Sequence, residues 1–112
     1  MKEDSVYLNH IVDAIKRIES YTGKGKEAFF QESIIQDAVI RNLEVIGEAV
    51  KNLSSTLRTQ HPEIPWTQIA GMRDVLIHVY FGVRLQTVWN AVENRIPELK
   101  RHIESLLAET EK

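Results

Sequence analysis

The segment from Pro65 to Tyr80, PWTQIAGMRDVLIHVY, decides how the rest of the chain can be arranged. The proline at its start suits the first helical position, where no backbone N–H is needed. Apolar residues then recur at steps of three and four, the spacing of one helical face: Ile69, Met72, Leu76 and Val79. This spacing predicts a buried helix over 65–80.

Four polar residues interrupt this apolar helix: Arg73, Asp74, His78 and Tyr80. Buried polar groups are tolerated only when they find partners, so these side chains are either paired or functional. At about 100° per residue, Asp74 and His78 share one helical face, whereas Arg73 and His78 diverge by roughly 140°. Two crossing copies of the helix would bring both pairs together, with Gly71 allowing a close approach. The geometry therefore predicts a symmetric dimer with a shared polar cleft.

Three further helices are predicted from the same kind of spacing. The first runs from about Asp4 to Thr22, capped by Asp4 or Ser5 and followed by Gly23. The second keeps its helical period without interruption from Phe30 to Leu53. The polar segment 54–64 predicts a loop with one short turn over 56–60, leading into the helix over 65–80.

The last helix is predicted from about Arg84, after Gly82 has ended the helix before it. Its apolar stripe continues to Leu106, but Pro97 lies inside it and must kink or split it. We expect the tail after Ala108 to fray. Because no strand-like alternation occurs, the predicted fold is all-α, an up-and-down four-helix bundle with a kinked or split last helix.

Length and composition set the remaining bounds. The chain has 112 residues, 43% of them hydrophobic, which predicts a single domain over 1–112 that would gain from burying more surface in an oligomer. With 14 basic and 16 acidic residues the net charge is −2, so any RNA contact must depend on a local cluster. The absence of cysteine excludes disulfides and thiolate metal sites. Without a signal peptide or an apolar run long enough for a membrane span, we expect a cytoplasmic protein.

Three segments carry a resemblance to a known family. The spacing Arg73-x4-His78-x-Tyr80 resembles the Arg-x4-His-x-Tyr motif of the HepT toxins, a branch of the HEPN superfamily of all-helical prokaryotic domains. The segments 65–73 (PWTQIAGMR) and 36–49 (QDAVIRNLEVIGEA) are similar to the lead-in and the second-helix signature of that family. The three segments occur in the family's order, and the resemblance as a whole extends over nearly the entire chain.

The resemblance implies an HEPN-like bundle and the activity of a toxin, a metal-independent endoribonuclease. Arg73 and His78 would be its catalytic residues at the interface of a homodimer. Gly71 and Asp74 are assigned supporting positions from the helix geometry alone, and Asp74 either orients His78 or is an ordinary acid on the helix surface. Histidine has an unperturbed pKa of about 6.5 and can act as base or acid near neutral pH, while arginine is a permanent cation that grips phosphate. The resemblance also implies that a cognate MNT-type nucleotidyltransferase antitoxin attaches AMP to Tyr80.

Each of these residues also has a structural interpretation. His78 could be bonded to Asp74 one turn away, and Arg73 could pair with Glu44 or Glu48 of the second helix. The alternative to a toxin is that the chain is a non-catalytic, substrate-binding partner subunit of a nucleotidyltransferase.

Basic residues on the last helix and three histidines lie outside the motif. A set of basic residues on the last helix could face RNA or simply be solvated: Arg84, Arg95, Lys100 and Arg101. His10, His61 and His102 show no ligand spacing, so we predict no metal site and no cofactor.

Overall fold

The computed structural model describes residues 2–78 and 85–110, which form helices joined by short connections. The helices are α1 (Lys2–Tyr21), α2 (Lys26–Gln31), α3 (Ser33–Lys51), α4 (Ser55–Gln60), α5 (Trp66–His78), α6 (Leu85–Asn90) and α7 (Ile96–Thr110), with a π-helical turn at Ala91–Arg95. No strand occurs in these two ranges. The predicted all-α bundle is confirmed, with the short helices α2 and α4 added between its four principal helical segments.

Helix α3 is the centre of the bundle. It packs against α1 on one side and α5 on another, and α7 packs against α1. The core consists of the apolar stripes that face these contacts, and its fully buried members include Leu8, Ile11, Ile15, Ile18, Val39, Ile46, Val50 and Ile103. The period of three and four residues in the sequence therefore identified most of the buried positions, although Tyr21 and Ile34, which continue the same stripes, are exposed.

The predicted second helix is divided in two, so its expected continuity was wrong. Glu32, with φ −110° and ψ 109°, separates α2 from α3. The Gln36 side chain donates to the backbone carbonyls of Phe29 and Phe30 at 2.9 and 3.2 Å, which satisfies acceptors that the end of α2 leaves free. Phe29 is fully buried, with its ring centroid 5.3 Å from that of Trp89. The break thus turns α2 so that the Phe29 side chain packs against Trp89 of α6.

Asp4 has a different role from the predicted cap of α1. The helix begins before it, at Lys2, and Asp4 is buried in the first turn. Its carboxylate accepts hydrogen bonds from the Ser54 backbone N–H at 2.8 Å and the Ser54 hydroxyl at 2.7 Å. The same hydroxyl accepts from the Leu57 N–H at 3.1 Å, which makes Ser54 the cap of α4. This cluster joins the start of α1 to the connection between α3 and α4.

The last helical segment is split, as Pro97 predicted. The Ile96 N–H donates to the Ala91 carbonyl, five residues earlier, so the chain forms one wide turn just before the proline. Pro97 follows this turn as the second residue of α7, and a proline is tolerated in the first turn of a helix because its missing N–H is not needed there. The expected fraying after Ala108 was wrong, because α7 continues to Thr110. Gly82, predicted to end the helix before it, lies outside the described residues.

Candidate active site

Helix α5 is anchored firmly at its start. The Trp66 indole N–H donates to the His61 carbonyl at 3.0 Å, and Trp66 and Ile69 are buried in the core. The Ile69 N–H donates to the Pro65 carbonyl at 3.1 Å, so Pro65 lies one residue ahead of the helix that it was predicted to begin. These contacts set the direction of the segment that carries the predicted site residues.

Arg73, Asp74 and His78 all lie on α5, which is helical through His78. The five steps from Arg73 to His78 correspond to a rise of about 7.5 Å along a regular helix. The structure describes the backbone here but not these three side chains, and Tyr80 lies outside the described residues. The backbone therefore agrees with the predicted placement of all three residues on one helix, while the roles of the four side chains stay predictions.

Gly71 lies on an open part of α5. A Cβ atom added to it would have no atom within 4 Å, apart from its chain neighbours and its own helix. The glycine is therefore not required by a close crossing inside the described part of one chain. The expected crossing with a second copy stays a prediction.

A groove lies beside this open part of α5, bounded on its other side by α6 and the π turn. We call it the α5–α6 groove, and its volume is about 820 Å³. It is lined by the apolar residues Leu43, Met72, Val88 and Ala91, together with Gln68, Gly71, Thr87, Asn90, Asn94 and Arg95. Gly71 and Met72 directly precede Arg73, so the groove adjoins the segment with the predicted catalytic residues.

One hydrogen bond spans the groove. Arg95, in the π turn, donates from Nη1 to Oε1 of Gln68 on α5 at 3.2 Å. The predictions for the sequence included Arg95 only in a general basic patch and gave Gln68, Asn90 and Asn94 no role. The sequence does carry one sign of this surface, because Asn90 and Asn94 are four residues apart and Arg95 follows Asn94 directly.

The basic residues of the last helical segment do not act together. Lys100 donates to both carboxylate oxygens of Glu19 on α1, at 3.1 and 3.0 Å. This hydrogen bond and the charge of Glu19 raise the pKa of the Lys100 ammonium group above 10.5. Arg95 contacts α5 instead, Arg101 is exposed, and Arg84 lies outside the described residues. The solvated-face interpretation therefore fits Arg101, whereas Lys100 is paired with Glu19 and Arg95 lines the groove.

Two other kinds of feature are absent from the described residues. Within 2–78 and 85–110, no group of three or more histidine, aspartate or glutamate side chains is placed to hold a metal ion. None of the helices in the same ranges is long and apolar enough to cross a membrane.

Comparison with known proteins identifies the family of this chain. The family model described as ribonuclease HepT-like matches residues 11–106. The chain belongs to the HepT-like ribonuclease family. The match includes α5 with Arg73 and His78, the π turn and most of α7, so the family assignment covers both sides of the α5–α6 groove.

Several relatives support membership of the HepT-like family. A proposed ribonuclease HepT of Thermococcus cleftensis is 48% identical over 89% of this chain and 92% of its own length. A proposed RNase of Caldanaerobacter subterraneus subsp. tengcongensis is 43% identical over 96% of each chain. A Methanocaldococcus jannaschii protein, named as gamma-glutamylcyclotransferase and proposed RNase, is 46% identical over 99% of this chain, which spans 50% of that relative's length. No solved structure gives a significant match.

Proposed function

We propose that this HepT-like chain is the toxin of a prokaryotic toxin–antitoxin system, a metal-independent endoribonuclease that acts on cytoplasmic RNA. The observation that carries the proposal is the Arg73-x4-His78-x-Tyr80 motif within a chain whose family match extends over 11–106. Helix α5 holds Arg73 and His78 on one continuous backbone element. A rigid helix is a suitable support for residues that must be held in a fixed geometry during catalysis.

The proposed reaction needs no metal because two side chains supply its chemistry. His78 takes the proton of the ribose 2′-OH, whose oxygen attacks the adjacent phosphorus, and the His78 imidazolium formed in this way protonates the departing 5′ oxygen. Arg73 stabilises the negative charge that builds up on the phosphate oxygens in the transition state. The products are a 2′,3′-cyclic phosphate and a 5′-hydroxyl.

The active unit that we propose is a homodimer. Arg73 and His78 diverge by roughly 140° around one regular helix, so a single α5 does not aim both at the same phosphate. Two copies of α5 crossing near Gly71 would place the arginine of one beside the histidine of the other.

Neutralisation is proposed to occur at Tyr80. An MNT-type nucleotidyltransferase would transfer AMP from ATP to the phenol oxygen, releasing pyrophosphate. The added phosphodiester is a bulky anion two helical turns from Arg73 in sequence, where it would compete with RNA phosphate for the guanidinium group. Co-expression with the enzyme should add the mass of adenylate to the wild-type chain and leave Tyr80→Phe unmodified; addition to Tyr80→Phe would contradict this assignment.

Expression in cells without the nucleotidyltransferase tests the proposal as a whole. The wild-type chain should arrest growth, and His78→Ala and Arg73→Ala should both relieve the arrest at equal protein level. Harmless expression of the unmodified wild type would contradict the toxin proposal. That result would favour a non-catalytic partner subunit of a nucleotidyltransferase.

A further inference from the structure

The α5–α6 groove has the composition of a nucleotide-binding site. We propose that it binds one nucleotide of the RNA, next to the phosphodiester that Arg73 and His78 cut. This inference rests on the proposed function, because it assigns a part of the substrate to a surface that adjoins the predicted catalytic helix. Gly71 and Met72 line the groove and precede Arg73 directly, so an RNA strand can extend from one place to the other.

The size and floor of the groove suit a nucleobase. Its volume of about 820 Å³ lies within the range of roughly 300 to 1,000 Å³ that is usual for small-molecule sites. Leu43 and Val88 are buried and Met72 and Ala91 half-buried, so the floor is apolar. An apolar floor can cover the face of any base, because all bases share a flat face.

The charge of the groove favours an anionic ligand. Arg95 is exposed at the rim, and within the described residues it makes one hydrogen bond, to Gln68, which leaves most of its five N–H donors available. No acidic residue is found among the lining residues that the structure describes. A smaller neighbouring groove shares Arg95 but also contains Glu98, which would repel phosphate. The guanidinium of Arg95 is therefore placed to bind a backbone phosphate in the α5–α6 groove.

The rim amides present mainly donors. The Gln68 side-chain oxygen already accepts from Arg95, and the Asn90 side-chain oxygen accepts from Gln86 Nε2 at 2.8 Å. Each amide NH₂ group can still donate. Asn94 lines the same rim and adds another amide. Donors pair with acceptors, so the rim suits a base that carries carbonyl oxygens, such as uracil or guanine.

Binding of an RNA that cannot be cleaved separates this inference from catalysis. The probe is a labelled ten-nucleotide oligouridylate with 2′-O-methyl groups, which lacks the attacking hydroxyl, and binding is followed by fluorescence anisotropy. Thr87→Trp places a large side chain in the groove, and Thr67→Trp makes the same change at an exposed threonine that does not line it. We expect Thr87→Trp to weaken binding by about tenfold and Thr67→Trp by less than about twofold.

A second pair of variants tests the charge without filling the groove. Arg95→Gln should weaken binding by about tenfold, whereas Arg101→Gln, which removes an exposed charge outside the groove, should have an effect of less than about twofold. The slope of log K against log salt should fall by about 0.7 for Arg95→Gln only.

Several results would overturn the nucleotide site. It is wrong if wild type does not bind the probe, if Thr87→Trp binds like wild type, or if Arg95→Gln and Arg101→Gln weaken binding equally. Altered sedimentation of the Thr87 variant with unchanged RNA binding would assign the groove to contact between copies instead. If the wild type cleaves ordinary RNA while the groove variants bind the probe normally, only this inference fails, whereas failure of cleavage refutes the proposed function.

Discussion

The hydrogen bonds between Asp4 and Ser54 should be one of the largest single polar contributions to the stability of the fold. Asp4 is only 5% exposed, and its two carboxylate oxygens accept at 2.8 and 2.7 Å from groups fifty positions away in the chain. Hydrogen bonds to a charged group contribute about 1.5–3 kcal/mol each. Asp4→Ala removes both and leaves the Ser54 N–H without its acceptor, so we expect the free energy of unfolding to fall by about 3 kcal/mol.

Ser54→Ala should cost less, because it retains one of the two bonds. The backbone N–H at position 54 still donates to Asp4, while the hydroxyl bond and the cap of α4 are lost. We expect a loss of about 2–3 kcal/mol, of which the cap accounts for about 1 kcal/mol. The double variant should then be more stable than the sum of the single losses predicts, with a coupling energy of about 1.5 kcal/mol.

Urea unfolding followed by far-ultraviolet circular dichroism measures the stability of the wild type, the two single variants and the double variant, which together form a double-mutant cycle. The protein concentration must be held constant, since the proposed dimerisation would make the midpoint depend on it. Glu3→Ala is the matched control, because it removes an exposed acid from the same turn of α1 and should change stability by less than about 0.5 kcal/mol. A coupling energy below about 0.5 kcal/mol, or an equal loss in the Glu3 variant, would refute the reasoning.

Three further predictions concern stability. Ile103→Ala creates a cavity at a fully buried position and should lower the free energy of unfolding by about 2–5 kcal/mol in urea; a loss below about 1 kcal/mol would contradict its place in the core. Gln36→Ala leaves two carbonyls at the end of α2 without their donor and should lower the free energy of unfolding by about 1–2 kcal/mol. A Gln36→Ala variant as stable as the wild type would contradict this role. Glu19 raises the pKa of Lys100, so this pair stabilises the folded state below pH 10.5, and the contribution disappears as pH rises through the raised pKa. The Tm difference between wild type and Lys100→Met should therefore shrink in alkaline solution, and a constant difference would contradict this linkage.

The helices could be predicted from the sequence because each has a continuous apolar stripe. The same signal hides the break at Glu32, since the period continues through it and neither glycine nor proline marks the position. Pro97 did mark the other interruption, but the sequence did not predict that this interruption takes the form of a π turn. Local chemistry thus predicts a break only where the residue itself forbids regular helix.

The candidate site divides in the same way. Arg73, His78 and Tyr80 could be singled out because polar residues in an apolar helix are unusual and their spacing matches a family motif. The α5–α6 groove could not, because Gln68 and Arg95 are 27 positions apart in the sequence and come together only in the folded chain. The Asp4 and Ser54 contact is a second example, joining residues that no local pattern relates.

Cleavage of end-labelled RNA by the purified, unmodified chain in excess EDTA tests the central claim most directly. The account predicts discrete fragments ending in 2′,3′-cyclic phosphate from the wild type, and intact RNA with Arg73→Ala and His78→Ala variants of equal helicity. Fragments that persist in both variants, or that appear only when a divalent metal is restored, would contradict a metal-independent mechanism based on these two residues.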